Sequence, residues 1–192
     1  MKLKIKIKVL TEGCMPVISE KGDLIDLRAA KDYEFHAPQA GVQYQKSNIK
    51  YRDVKFDEQL IQLGVAMQLP KGMMAKLKGR SSLTKNYGVV MCCSGEIDNS
   101  YCGDTDEWLF RVFAIRDGKI NAFSRICQFE VVPSQKATFW QKLKWLFSSG
   151  VELIEVDSLN NESRGGFCFC AALMKRPFLT CPNFFGKVFG TV

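Results

Sequence analysis

Hydrophobic and polar positions alternate in short runs along most of this 192-residue chain. From Lys2 to Val9 the alternation is strict, which predicts a half-buried strand with one apolar and one basic face. A second short strand is expected within Gly22–Ala30. Two longer β-rich runs within 60–82 are separated by the turn signal Pro70–Gly72. Further short runs, broken by Gly, Asn, Asp and Ser, occupy 87–93, 107–115 and 125–132. This pattern predicts an all-β sandwich or barrel, with residues 34–51 as loop with some strand.

One segment has helical periodicity instead. The apolar residues of 137–150 recur at helical spacing, with lysines on another face, and Gly150 ends the pattern. They are Phe139, Trp140, Leu143, Leu146 and Phe147. We expect an amphipathic helix, inserted into the β fold at about 136–149. A basic helix of this kind can lie on a membrane surface. The expectation here is that it packs on its own domain or on a neighbouring subunit.

Composition is that of a soluble globular protein, with 46% hydrophobic and 24% charged residues. The formal charge of +7 suits an anionic partner, but it does not distinguish a nucleotide from a polymer or a membrane surface. No apolar run is long enough to span a bilayer, so no membrane partner is expected. Basic residues interleaved with aromatic ones are not seen before the last residues, so no nucleic-acid partner is expected.

The cysteines and the first residues indicate where the protein works. The chain has 8 cysteines and one histidine, His36, but no pair of C-x-x-C motifs, so a zinc site is not expected. Lysines interrupt the first apolar run, so no secretory signal is predicted. We expect reduced thiols and a cytoplasmic location, in a bacterial cell or a phage-infected host.

Two short stretches carry candidate chemistry. Arg80, Ser81 and Ser82 offer a planar cation and two hydroxyls in one turn, which suits a polyphosphate, although such a turn is also common in solvated loops. Asp98 could take a proton from water, or simply cap a turn. Tyr101 offers a rigid ring with an apolar body that could lie against a sugar.

The order of the motifs identifies a resemblance. DLRAA (26–30), GRSSL (79–83), GEIDNSYCGD (95–104), RICQF (125–129) and RGGF (164–167) follow one another in the order seen in the trimeric dUTP pyrophosphatase (dUTPase) family, in its bacterial and phage branch. The resemblance covers roughly residues 19–167. It implies a distorted jelly-roll (β-clip) barrel, a homotrimer, a domain over 1–167 and an atypical tail over 168–192.

The resemblance also implies a reaction, hydrolysis of dUTP to dUMP and pyrophosphate. Asp98 would activate the water that attacks the α-phosphorus. Tyr101 would stack under the deoxyribose and exclude a 2′-hydroxyl. The backbone of Gly95, Glu96 and Ile97 would bond the edge of uracil.

The remaining roles concern the phosphates and the lid. Arg80, Ser81, Ser82 and Gln128 would contact the phosphates. Asp26, counted with Asp98 among the catalytic residues, would hold waters around a Mg²⁺ that the triphosphate itself chelates. Arg164 would reach the terminal phosphate, and Phe167 would close over uracil.

Two alternatives remain open. The related dCTP deaminases need a catalytic carboxylate on the strand after the third motif, whereas this chain has Glu107 at the turn before the expected strand and Arg111 within it. The other alternative is a partner-binding protein that keeps the fold but has weak turnover. It is supported by Cys168, Phe169 and Cys170, which stand where the family has small residues that wrap the phosphates.

Overall fold

The computed structural model describes residues 1–20, 22–46, 49–93 and 95–164, with the backbone alone for 41–46 and 49–53. The strands are β1 Leu3–Val9, β2 Val17–Ile18, β3 Ile25–Arg28, β4 Tyr33–Phe35, β5 Gln39–Lys46, β6 Ile49–Lys55, β7 Glu58–Gln68, β8 Met73–Gly79, β9 Val89–Met91, β10 Gly95–Ile97, β11 Glu107–Ala114, β12 Gly118–Ile120, β13 Arg125–Pro133 and β14 Val151–Glu155. The helices are α1 Leu83–Tyr87 and α2 Phe139–Leu146.

Two five-stranded sheets enclose the core, in the orders β14-β1-β7-β11-β9 and β10-β8-β13-β3-β2. Alternate side chains of β1 and β11 are buried, as a strand with one face on a core requires. Trp108 of β11 meets Phe129 of β13 edge to face, with ring centroids 5.1 Å apart, and both residues are fully buried. This contact joins the two sheets. The all-β expectation is confirmed.

Seven of the fourteen strands in the described residues lie where the sequence pattern predicted them, namely β1, β3, β7, β8, β9, β11 and β13, and several other elements were missed. The expectation of loop with some strand over 34–51 understated the strand content, because β4 and the ribbon β5–β6 occupy most of that region. The short helix α1 follows the Arg-Ser-Ser turn. Strand β14 pairs in parallel with β1, with Leu3 opposite Val151. That pairing joins the two ends of the described chain and could not be seen locally.

The predicted helix α2 lies within the expected insertion. Thr138 caps its first turn reciprocally with Gln141. The indole nitrogen of Trp145 donates to the carbonyl of Val131 at 2.9 Å, so the helix packs on its own domain. Four large apolar side chains face away from that contact, each at least 64% exposed, namely Phe139, Trp140, Leu146 and Phe147. Within the described part of the chain, no helix has the length and apolarity that a membrane crossing needs.

Candidate active site

The first group of predicted residues meets where β3, β8 and β13 lie side by side. Asp26 is opposite Gln128, and Gln128 is opposite Lys78. Asp26 is 3% exposed, and its two oxygens accept hydrogen bonds from Arg80 and, at 3.2 Å, from Arg125. A buried carboxylate is stable only with such partners. We call Asp26, Arg80 and Arg125 the arginine cluster.

The two serines continue the chain from Arg80 beside this cluster. The amide of Arg80 donates to the carbonyl of Ile126 at 3.1 Å, which pins the turn on β13. Ser81 is exposed, and the Ser82 hydroxyl makes no capping bond to α1. Two guanidiniums and two hydroxyls therefore lie within one short stretch of surface, an arrangement that suits the oxygens of a polyphosphate.

The second group lies after β10. The guanidinium of Arg164 donates to the carboxylate of Asp98 at 3.0 Å and to the hydroxyl of Ser100 at 2.8 Å. We call these three residues the Asp98 cluster. The side chains of Asp98 and Arg164 are 65% and 53% exposed. They line an open cleft of about 770 Å³, and Lys136, Thr138 and Gln141 of the insertion also line it.

Tyr101 is held next to Asp98 by a turn. Its amide donates to the carbonyl of Asp98 at 3.0 Å, and its hydroxyl donates to the carbonyl of Glu107 at 2.8 Å. The ring is 9% exposed and packs against the core. The Asp98 carboxylate faces Arg164 and Ser100, so Asp98 takes part in the turn through its backbone.

Strand β10 forms one edge of its sheet. On one side it pairs with β8, with Gly95 opposite Leu77, and a Cβ on Gly95 would lie 2.7 Å from the Leu77 Cβ. On the other side β10 pairs with no strand among the described residues. An open edge presents N–H and C=O groups, which are the groups needed to bond the rim of a planar base.

One chain does not bring the two clusters together. Ile97, just before Asp98, is opposite Ala75 near the start of β8, whereas Arg80 follows the end of β8. At about 3.3 Å per residue, Asp98 and Arg80 are roughly 15–20 Å apart along the strand. That is too far for both residues of one chain to act on the same phosphoryl group.

Glu107, the carboxylate that a deaminase would need, is engaged elsewhere. Its Oε1 accepts from the amide of Gly64 at 2.9 Å, and its Oε2 accepts from the side-chain amide of Gln62 at 3.0 Å. Both partners are on β7, where the pairing with β11 shifts register. Glu107 therefore stabilises this irregular stretch of the sheet. Because its carboxylate is engaged there, the deaminase interpretation is disfavoured.

Phe167 lies outside the described residues, so its predicted place over uracil stays a prediction. Sequence reasoning did not single out Ser100 or Arg125 as site residues, although both stand inside quoted motifs. It also missed Asp104 and Asp106, which bond the segment before Arg164. Asp104 ends the third motif and Asp106 follows it by two residues, but nothing local in the sequence indicates what those carboxylates contact.

No family model matches the chain. The SPbeta prophage-derived deoxyuridine 5′-triphosphate nucleotidohydrolase YosS of Bacillus subtilis is 42% identical to it over 167 residues, which are 85% of this chain and 95% of that protein. The chain belongs to the dUTPase family. The family resemblance of the five motifs is thereby confirmed.

Solved structures agree with the fold. The dUTPase of Streptococcus mutans superposes with a TM-score of 0.54 at 18% identity, over 69% of this chain and 98% of that one. A single-substitution mutant of the dUTPase from Staphylococcus aureus phage phi11 superposes with a TM-score of 0.53 at 16% identity, over 70% of this chain and 94% of that one. The jelly-roll-like β fold expected from the resemblance is confirmed.

Proposed function

We propose that this protein hydrolyses dUTP to dUMP and pyrophosphate by attack of water on the α-phosphorus. The similarity to a deoxyuridine 5′-triphosphate nucleotidohydrolase over 85% of the chain carries the proposal. The exposed Asp98 carboxylate, held next to a guanidinium in an open cleft, supports it.

Asp98 is the general base in this proposal. An ionised carboxylate can orient a water and accept its proton as the oxygen attacks phosphorus. Arg164 lies beside it and offers a forked cation to the terminal phosphate. Tyr101, with its hydroxyl fixed on Glu107, presents a ring of fixed orientation against which the deoxyribose would stack.

Strand β10 selects the base in this proposal. The open edge formed by Gly95, Glu96 and Ile97 offers backbone donors and acceptors to uracil. Rigid backbone groups of this kind discriminate well, because a base with the wrong edge leaves them unpaired.

The arginine cluster and its neighbours bind the phosphates. Arg80 and Arg125 neutralise charge, and Ser81, Ser82 and Gln128 supply further hydrogen bonds. In the described structure Arg80 is paired with Asp26, so binding requires that its guanidinium be shared between the carboxylate and the substrate.

Mg²⁺ fits this site as an ion carried by the substrate. No group of three or more His, Cys, Asp or Glu side chains in the described residues could form a protein cage for a metal. Mg²⁺ commonly keeps several waters and binds one or two carboxylates together with substrate phosphates. Asp26 would hold it through waters, because each of its oxygens can accept a further hydrogen bond beside that from Arg80 or Arg125. The ion would neutralise charge on the triphosphate; the phi11 enzyme is described with a structural Mg(II) ion.

The separation of the two clusters favours an oligomer. Because Asp98 and Arg80 of one chain lie at opposite ends of β8, a complete site needs them from different copies. We propose a homotrimer, in which a threefold axis gives three equivalent shared sites. We also propose one domain over 1–167 containing the inserted helix, a tail over 168–192, and action in the cytoplasm on the nucleotide pool.

Substrate specificity provides the test. Pyrophosphate release should be measured with dUTP, dCTP, dTTP and UTP, each with Mg²⁺, alongside ammonia release from dCTP. We expect pyrophosphate from dUTP far above the other three nucleotides. Ammonia from dCTP, or equal turnover of all four, would overturn the proposal.

A partner-binding role is the second candidate, favoured by the outward apolar face of α2. It predicts that replacing Phe139 and Trp140 by serine abolishes capture of the partner while dUTP turnover is kept. A wild type that binds the nucleotide but has only weak dUTP turnover, unchanged in the serine variant, would favour this role over catalysis.

A further inference from the structure

The segment 158–164, which leads to the fifth motif, is fastened to the third-motif loop, residues 98–107. Both oxygens of Asp104 hold it. Oδ1 accepts from the amide of Leu159 and Oδ2 accepts from the hydroxyl of Ser158, each at 2.7 Å. The Leu159 amide, and then the Ser158 hydroxyl, lower the pKa of Asp104 below its usual value. The carboxylate form is thus the one that binds the segment.

Asp106 makes a second link, next to Arg164 itself. It is 2% exposed, and its Oδ2 accepts from the amide of Gly103 at 2.8 Å and from the amide of Arg164 at 3.0 Å. One oxygen therefore ties the turn of the loop to the backbone of the arginine. Removing it would leave two amides without their acceptor in a buried place.

Close backbone packing makes a third link. A Cβ on Gly103 would lie 2.3 Å from the Cα and 2.6 Å from the amide nitrogen of Ser163, so only glycine fits there. The hydroxyls of Thr105 and Ser163 lie 2.6 Å apart beside this contact. The loop and the segment are therefore in contact backbone to backbone.

We propose that Asp104 and Asp106 are positioning residues, which fix the backbone before Arg164 so that its guanidinium meets the nucleotide beside Asp98. The inference rests on the proposed function. The Arg164 side chain is half exposed and its pair with Asp98 contributes little by itself, so the backbone anchors decide where it lies. A displacement of about 1 Å at a catalytic site can lower the rate on the order of 100-fold.

The test compares alanine with asparagine at each anchor. Asp104→Ala and Asp106→Ala remove the acceptors, whereas Asp104→Asn and Asp106→Asn keep the shape and an acceptor oxygen. We expect kcat/KM for dUTP to fall about tenfold or more in the alanine variants and less than about threefold in the asparagine variants.

A double-mutant cycle separates positioning from general damage to the fold. If the anchors act through Arg164, Asp106→Ala in an Arg164→Ala background should change kcat/KM by less than about twofold. The same fold-loss in both backgrounds would overturn the proposal, because it would mean that Asp106 only stabilises the structure.

Tryptic cleavage after Arg164 gives a readout that needs no turnover. Anchored backbone resists cleavage, so the alanine variants should be cut faster than the wild type, and the asparagine variants at nearly its rate. Gly103→Ala should behave like Asp106→Ala. Gly22→Ala is its matched control, because a Cβ there would make an ordinary contact with Ser19, at 3.4 Å.

The two readouts distinguish failure of the inference from failure of the proposed function. Unchanged turnover and unchanged cleavage in the alanine variants would overturn the anchoring. A wild type with no dUTP turnover would overturn the proposed function, and with it the role of Asp104 and Asp106 in catalysis. If the alanine variants were then still cleaved faster, the two aspartates would be structural contacts only.

Discussion

Arg164 donates to the Asp98 carboxylate at 3.0 Å although the two residues are 66 positions apart. Exposed pairs of this kind contribute little net free energy, because water competes for both partners. A phosphate can therefore displace Asp98 from Arg164, and bidentate bonds to phosphate favour the exchange. The exchange would leave the carboxylate free to hold a water at the moment when the substrate is present.

Asp98→Asn tests the base. The amide keeps the shape and an acceptor for Arg164 but cannot take a proton, so kcat should fall by about 100-fold or more. Binding of a non-hydrolysable dUTP analogue should persist, because the phosphate contacts are made by other residues. Asp32→Asn is a control on a surface carboxylate that pairs with Lys119 at 3.2 Å, and it should keep its turnover. Near-normal turnover of Asp98→Asn would refute the role.

Arg80→Ala tests the arginine cluster. It leaves the buried carboxylate of Asp26 with Arg125 alone, so the free energy of unfolding in urea should fall by about 1–3 kcal/mol. Arg125→Ala should cost less, because that side chain is 49% exposed and water can replace it. The interpretation is wrong if the two variants are equally stable, or if Arg125→Ala is the less stable one.

The sequence predicted well what depends on local pattern and poorly what depends on distant contacts. The sequence pattern located β1, β8, β11 and β13, in which buried and more exposed positions largely alternate, and β7, in which an apolar run is buried on both faces. It missed β14, whose burial alternates weakly and whose partner is β1, at the other end of the described chain. Motif order assigned proposed roles to Asp98 and Arg164, but it did not indicate that their side chains are in contact. Nor did it indicate that Asp26 is buried beneath two arginines.

Mixed oligomers test whether sites are shared. Subunits with Arg80→Ala and subunits with Asp98→Asn should each have little activity alone. If Arg80 and Asp98 of one site come from different chains, random mixing in equal amounts should restore about a quarter of the wild-type activity. Unmixed proteins combined without subunit exchange are the control. No recovery after exchange would mean that each site is built within one chain.

Thiol chemistry tests the core around the arginine cluster. Burial, and then the charge of Asp26, raise the pKa of Cys127 well above its usual value. Burial also raises the pKa of Cys14. Because the thiolate is the reactive form, both should be alkylated slowly at neutral pH, whereas the exposed Cys93 should react first among the cysteines of the described residues. Site-resolved mass spectrometry after brief iodoacetamide treatment measures the order, and Cys127 reacting as fast as Cys93 would contradict the buried position.

Hydrolysis of dUTP in ¹⁸O-labelled water tests the central claim most directly, because it reports which phosphorus the water attacks. Attack on the α-phosphorus places the label in dUMP and none in pyrophosphate, and this is the result expected with Mg²⁺ present. Label in pyrophosphate, label in inorganic phosphate released together with dUDP, or no cleavage of dUTP would contradict the account.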